Sequence, residues 1–111
     1  MDISTLQYKR CDVVKPVGHL DAYTAPNLEE ILNGILAKGR YRIVLDLSEV
    51  DFLSSRGLWV LVEAQKKCKR YNRGEIVFAD LHPQINDTFR LAGLETYFKQ
   101  FDDVVTAVAS F

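Results

Sequence analysis

The chain is poor in the features that would commit it to a specialised protein class. It has two cysteines in 111 residues, Cys11 and Cys68, and neither lies in a CxxC or His/Cys spacing. A disulfide framework is therefore not what organises the fold, and both residues read as reduced thiols. The two histidines, His19 and His82, lack neighbouring ligand spacing; they read as surface or loop residues, and no metal is assigned. Charge of one sign is not in excess. Fourteen Lys and Arg stand against fifteen Asp and Glu, a formal net charge of −1, which offers no overall basic field for nucleic acid or anionic lipid. No apolar run approaches the roughly 20 residues of a membrane span. The amino terminus, MDISTLQYKRCD, lacks the basic and then apolar layout of a signal peptide, so a cytoplasmic protein is expected. No glycine-rich phosphate loop is present, since Gly34 and Gly39 lie in or after a helical segment, and no cofactor is assigned.

What remains is an ordinary globular composition, 48% hydrophobic and 26% charged. No internal repeat, low-complexity tract or linker interrupts the chain, and its length suits one domain over residues 1–111. ISTLQYKR and DVVKPVGHL read as two strands, the second carrying Pro16 and therefore an edge strand there or bulged. TAPNLEEILNGILAKG reads as a helix, with Thr24 placed to cap it, Pro26 in its first turn and Gly39 at its end. Its apolar stripe is Leu28, Ile31, Leu32, Ile35 and Leu36. The nearly continuous apolar run of YRIVLDL suits a central strand.

SRGLWVLVEAQKKCKRYN reads as a second long helix ended by Gly74, and EIVFADL as a further strand. PQINDTFRLAG gives a short helix entered at His82–Pro83, with Asp80 or His82 near its cap. Ile85, Phe89 and Ala92 face inward and Gly93 stops it. ETYFKQF supplies a last strand, and DDVVTAVASF a terminal helix capped by Asp102 or Asp103. This alternation is an α/β pattern in which helices cover a mixed sheet.

The informative place is the change of character inside VLDLSEVDFLSSRGLWVLVEAQKK, where a strand hands over to the second helix at Ser54 and Ser55. Such junctions at the carboxyl edge of a sheet commonly carry sites. Either serine can cap the helix, whose first amides are otherwise unpaired. A nucleophilic serine would want a GxSxG-type elbow and an oriented base, and LSSRG lacks the first glycine. A third reading makes the hydroxyl a substrate for another protein's kinase. At about 100° per residue, Leu58, Leu61, Val62, Gln65 and Cys68 share the face toward the sheet. Trp59 falls on the flank one turn after Ser55, as a core-edge aromatic or an interface anchor. Arg56, Glu63 and Lys67 lie on a solvated face, with Glu63 and Lys67 spaced for an i, i+4 pair.

VLDLSEVDFLSSRGL resembles the signature of the STAS domain, as found in bacterial anti-sigma factor antagonists: a strand ending in a D-L or N-L pair, a spacer with an aromatic, then D-S-S-G-L, D-S-x-G-L or I-S-S-A-G-L. VGHLDAYTAPNLEEIL resembles the family's G-x-L-D and threonine-capped helix, and AGLETYFKQFDDVVTAV its S-G-L-x-x-x-F ending and last helix. The resemblance implies a single STAS domain: a mixed central sheet of about four to five strands with helices packed mainly on one face.

It further implies a binding protein, not an enzyme. In such antagonists the unphosphorylated form binds an anti-sigma factor, usually also a serine kinase, and frees a sigma factor. The kinase phosphorylates a serine and ends the binding, and a serine phosphatase of the metal-dependent type restores it. Aligning Gly57 and Leu58 with the family's G-L makes Ser55 the implied acceptor, with Ser54 where Asp often stands. The implied partner surface comprises Asp21, Thr24, Asp46, Ser54, Ser55, Arg56 and Trp59. Arg56 replaces a small residue and Trp59 stands where Gly or Arg is frequent. A STAS adaptor of another kinase or phosphatase complex is the alternative implied reading, and a subunit serving a transporter or membrane complex a third.

Overall fold

The structure, a computed structural model, describes residues 1–70 and 74–111. Its elements follow in the order β1 (Asp2–Gln7), β2 (Asp12–Leu20), α1 (Ala25–Ala37), β3 (Arg42–Asp46), β4 (Val50–Leu53), α2 (Ser55–Arg70), β5 (Glu75–Ala79), α3 (Pro83–Leu91), β6 (Lys99–Phe101) and α4 (Val104–Ala109). The sheet runs β1-β2-β3-β5-β6, with β4 attached to β2. β1 is antiparallel to β2 and every other pair is parallel, so the sheet is mixed as expected.

β4 is the strand that the sequence reading did not separate. β3 pairs with β2 through Val14, the chain then leaves the sheet at residues 47–49, and β4 rejoins β2 from Gly18. Pro16 lies in the interval where neither β3 nor β4 pairs with β2, and a register irregularity follows between Gly18 and His19. β2 is thus an internal strand with an irregularity, while β1 is the edge. A proline is tolerated here because no β3 or β4 ladder bond is asked of it.

Leu28, Leu32 and Ile35 of α1, Leu58, Leu61 and Val62 of α2, and Ile85 and Phe89 of α3 form the larger core with Ile43 and Leu45 of β3. Each such side chain contributes about 1.5–3 kcal/mol by leaving water. Phe78, Phe89 and Phe98 meet within it, Phe78 stacked on Phe98 with centroids 4.3 Å apart. On the other face Val13, Val44, Val77 and Ala79 are covered by α4 through Ala107, with Val104 and Val108 packed alongside. β3 is therefore apolar on both sides because both sides are covered.

Three local expectations change. Thr24 stands at the amino end of α1 and its carbonyl accepts from the Asn27 amide at 3.0 Å, but its side chain makes no capping bond. Ala92 is exposed, because α3 ends at Leu91 and Gly93 (φ +73°) turns the chain away first. Glu63 pairs with Lys66 at 3.4 Å, while Lys67 reaches across to Asn33 of α1 at 3.1 Å, so the i, i+4 pair does not form. His82 occupies the cap position of α3, yet its ring is bonded to the Ser48 carbonyl and caps nothing. Asp103 caps α4 by accepting from the Thr106 amide at 2.7 Å. The expected stop of α2 before Gly74 involves residues 71–73, which lie outside the described residues.

Candidate functional site

β2 and β4 end side by side, and the site is built on their last residues. Leu20 pairs with Leu53, and the Leu20 carbonyl accepts from the Ser54 amide at 2.9 Å. The same carbonyl lies under Gly57, where a Cβ would come within 2.7 Å of it. Glycine is required at 57 by that approach, which sets the first turn of α2 against the end of β2.

The two serines divide their work. Ser54 is the cap: its hydroxyl accepts from the Gly57 amide at 3.2 Å and its carbonyl from the Leu58 amide at 2.9 Å. Ser55 is the first helical residue, is exposed, and its hydroxyl makes no hydrogen bond among the described residues. It stands on a rigid turn, beside helix amides whose partial positive charge tolerates an anion.

The β2–α1 corner forms the neighbouring wall. Asp21 accepts from the amides of Tyr23 at 2.9 Å and Thr24 at 3.2 Å. These bonds, Tyr23's foremost, hold its carboxyl below the usual range. The Thr24 hydroxyl donates to the His19 carbonyl at 2.7 Å and accepts from the Asp21 amide at 2.9 Å. It braces the corner, because those backbone groups have no strand partner there, and this is why it does not cap α1.

From β4, Asp51 meets the His19 ring at 2.6 Å, and Phe52 lies edge-on to that ring at 5.8 Å. Tyr23 is 91% exposed, Trp59 54% and Phe52 49%, so three large aromatics project at this pole of the molecule. Trp59 is the expected partly exposed flank residue. With Glu29, Arg56, Val60 and Glu63 it lines a notch of about 70 Å³ between α1 and α2. Arg56 is exposed.

The structure thus gathers Asp21, Thr24, Ser54, Ser55, Arg56 and Trp59 around one end of the sheet. Asp46 differs from them in burial. It is buried, and its carboxylate accepts from the Ser48 amide at 3.1 Å within the turn that leads to β4. Its position at the end of β3 was expected, but it organises a turn and is not presented to a visitor. Sequence reading overlooked Tyr23, Phe52 and the His19–Asp51 contact. Their signal was an aromatic in each of two short polar stretches, DAYT and SEVDF, where no core position calls for one. Among the described residues no helix is long and apolar enough to cross a membrane.

A serine opening a helix beside the ends of two parallel strands, on a mixed sheet with three helices on one face and a short fourth on the other, defines a small α/β domain class. The chain belongs to the STAS domain family, whose model matches residues 2–107. It is 32% identical over 94 residues to BtrV of Bordetella bronchiseptica, described as an anti-sigma factor antagonist, covering 85% of this chain and 80% of that one. It is 36% identical over 77 residues to the anti-sigma-B factor antagonist of Listeria monocytogenes, covering 69% and 67%. The crystal structure of an anti-sigma factor antagonist from Mycobacterium paratuberculosis superposes with a TM-score of 0.84 at 28% identity, covering 98% of this chain and 93% of that one.

Proposed function

We propose that the chain is an anti-sigma factor antagonist switched by phosphorylation of Ser55. Unphosphorylated, it binds an anti-sigma factor that is also a serine kinase, and a sigma factor is released. Phosphate transferred to Ser55 ends the binding, and a serine phosphatase of the metal-dependent type restores it. The protein acts in the cytoplasm through its STAS domain, by binding and not by catalysis, and needs no cofactor.

The observation that carries this reading is the division between Ser54 and Ser55. One hydroxyl is consumed by the helix cap, so the other is left at the surface for a kinase. A phosphate there adds about −1.5 to −2 charge, which the helix amides accept without disturbing the fold. The docked partner does not accept it, because the surface already presents the carboxylates of Asp21 and Asp51. Like charge with desolvation costs about 3 kcal/mol, or roughly a hundredfold in affinity. Tyr23, Phe52 and Trp59 supply the apolar anchors of the unmodified interface.

The test uses a kinase-like anti-sigma factor. Incubation with ATP places one phosphate on Ser55, and Ser55→Asp loses the pull-down that Ser55→Ala keeps. Binding that persists in Ser55→Asp overturns the switch. The bulk of Arg56 and Trp59 beside the acceptor favours a second reading, an adaptor in a different kinase or phosphatase complex. Capture of such a complex in place of an anti-sigma factor would support it.

A further inference from the structure

The pole opposite Ser55 carries a feature that the partner surface does not use. Tyr8 to Cys11 turn the chain from β1 into β2, the Tyr8 amide donating to the Cys11 carbonyl at 2.8 Å. Arg40, in the connection from α1 to β3, locks this turn: its guanidinium is paired with buried Asp12 and donates to the carbonyls of Tyr8 and Cys11. Arg40 and Asp12 are thereby consumed. Lys9 and Arg10, at the tip of the turn, and Arg42, at the start of β3, are exposed and make no ion pair among the described residues. Glu75 is the register neighbour of Arg42, but its carboxylate is 3.7 Å from the Lys99 ammonium.

These cations line two adjoining concavities. One, of about 240 Å³, lies between the β1–β2 turn and the α1–β3 connection, and includes Lys9, Arg10, Arg40 and Arg42. The other, of about 420 Å³, continues past Arg10 and Arg42 to the Glu75–Lys99 pair, Phe101 and Phe111. Arg10 and Arg42 belong to both and stand at the junction. Holding like charges on a braced turn and an adjacent strand costs free energy that a counter-anion would return. Concave walls concentrate that positive potential, and the volume suits a small ligand. Guanidinium groups in such a place match phosphate oxygens bidentately.

We propose that this double concavity binds a small oligophosphate anion, inorganic or as the phosphate tail of a nucleotide, with Arg10 and Arg42 as the direct ligands and Lys9 assisting. Arg40 and Asp12 are positioning residues that fix the turn. The site is independent of the partner surface, and its test does not involve Ser55.

The experiment titrates the intact protein with inorganic pyrophosphate, and separately with ADP, followed by calorimetry and backbone amide NMR. Saturable binding is expected, with shifts concentrated at residues 9–12 and 40–42 and affinity falling as salt rises. Arg10→Ala and Arg42→Ala should each weaken it roughly tenfold or more, with unchanged melting of the unliganded protein. Arg10 lies in an exposed turn, so its variant keeps the test valid even if Arg42→Ala folds poorly. Equal affinity for the two probes assigns recognition to the phosphates alone. Tighter ADP binding, with shifts at Phe101 and Phe111, adds a stacked base. No binding at millimolar pyrophosphate, retention in the Arg10→Ala protein, or shifts confined to residues 54–58 at the amino end of α2 would overturn the proposal.

Discussion

Gly57 rests on the Leu20 carbonyl. The oxygen would lie 2.7 Å from a Cβ at 57, the Leu20 side chain 2.8 Å, and the Leu53 side chain 3.0 Å. The end of β2, the end of β4 and the start of α2 are therefore fixed by one close approach, and the orientation of Ser55 depends on it. Backbone cannot yield as a flexible side chain can. Gly57→Ala should destabilise the fold by about 1–3 kcal/mol, read as a lower denaturant midpoint, and should weaken partner binding as Ser55 is displaced.

The serine pair separates stability from signalling. Ser54→Ala removes the helix cap and should cost about 1 kcal/mol in equilibrium unfolding. Ser55→Ala should leave the unfolding midpoint within about 0.5 kcal/mol of wild type, since the hydroxyl bonds to nothing among the described residues. The same substitution should abolish phosphate incorporation. Phosphorylation of Ser55→Ala at an undiminished level would move the acceptor elsewhere.

Gln65 does the work of a missing strand. Its side chain accepts from the Ile76 amide at 2.7 Å and donates to the carbonyls of Ile76 at 3.1 Å and Tyr97 at 3.2 Å. β6 pairs with β5 only from Val77 onward, so the amide group extends the ladder by one position. Gln65→Leu fills the same space and leaves buried backbone groups unpaired. It should cost at least about 2 kcal/mol, measured by denaturant titration.

Burial alone pushes the Cys68 thiol up from 9.0 to about 12. At pH 8 it should be inert to thiol reagents in the native protein and react at once in denaturant. The sign for stability follows from proton binding. Above pH 9 the unfolded thiol ionises while the folded one stays protonated, so stability should fall between pH 9 and 12 by about 1.4 kcal/mol per pH unit. Cys68→Ala should flatten that slope while lowering stability overall.

Trp59 and Tyr23 offer large apolar area that the fold does not need. Trp59→Ala and Tyr23→Ala should each weaken the anti-sigma partner at least about tenfold by calorimetry, with stability nearly unchanged. Unaltered affinity in both would place the interface elsewhere.

Much of this was legible in order along the chain. α1 and α2 announced themselves by an apolar stripe, β3 by a continuous apolar run, and Gly39 and Gly93 take the positive φ that ends a helix. Asp103 capped its helix as its position allowed. β4 did not declare itself, because four residues leading straight into a helix, VDFL, carry too short a pattern. Gln65 was placed on the correct face, but a polar side chain gives no sign of which backbone groups it will complete.

The sequence by itself determined the alternation of strands and helices, the apolar faces they turn inward and the serine that opens α2. Those are local matters: periodicity, β-branching and the chemistry of helix ends act within a few residues. Only the tertiary structure decided which serine is consumed and which is exposed, that Thr24 braces a corner, that Asp46 is hidden in a turn, and that Arg10 and Arg42 line the same concavities. Each depends on backbone groups from segments far apart in the chain, whose unpaired donors and acceptors take whichever side chain the packing brings near.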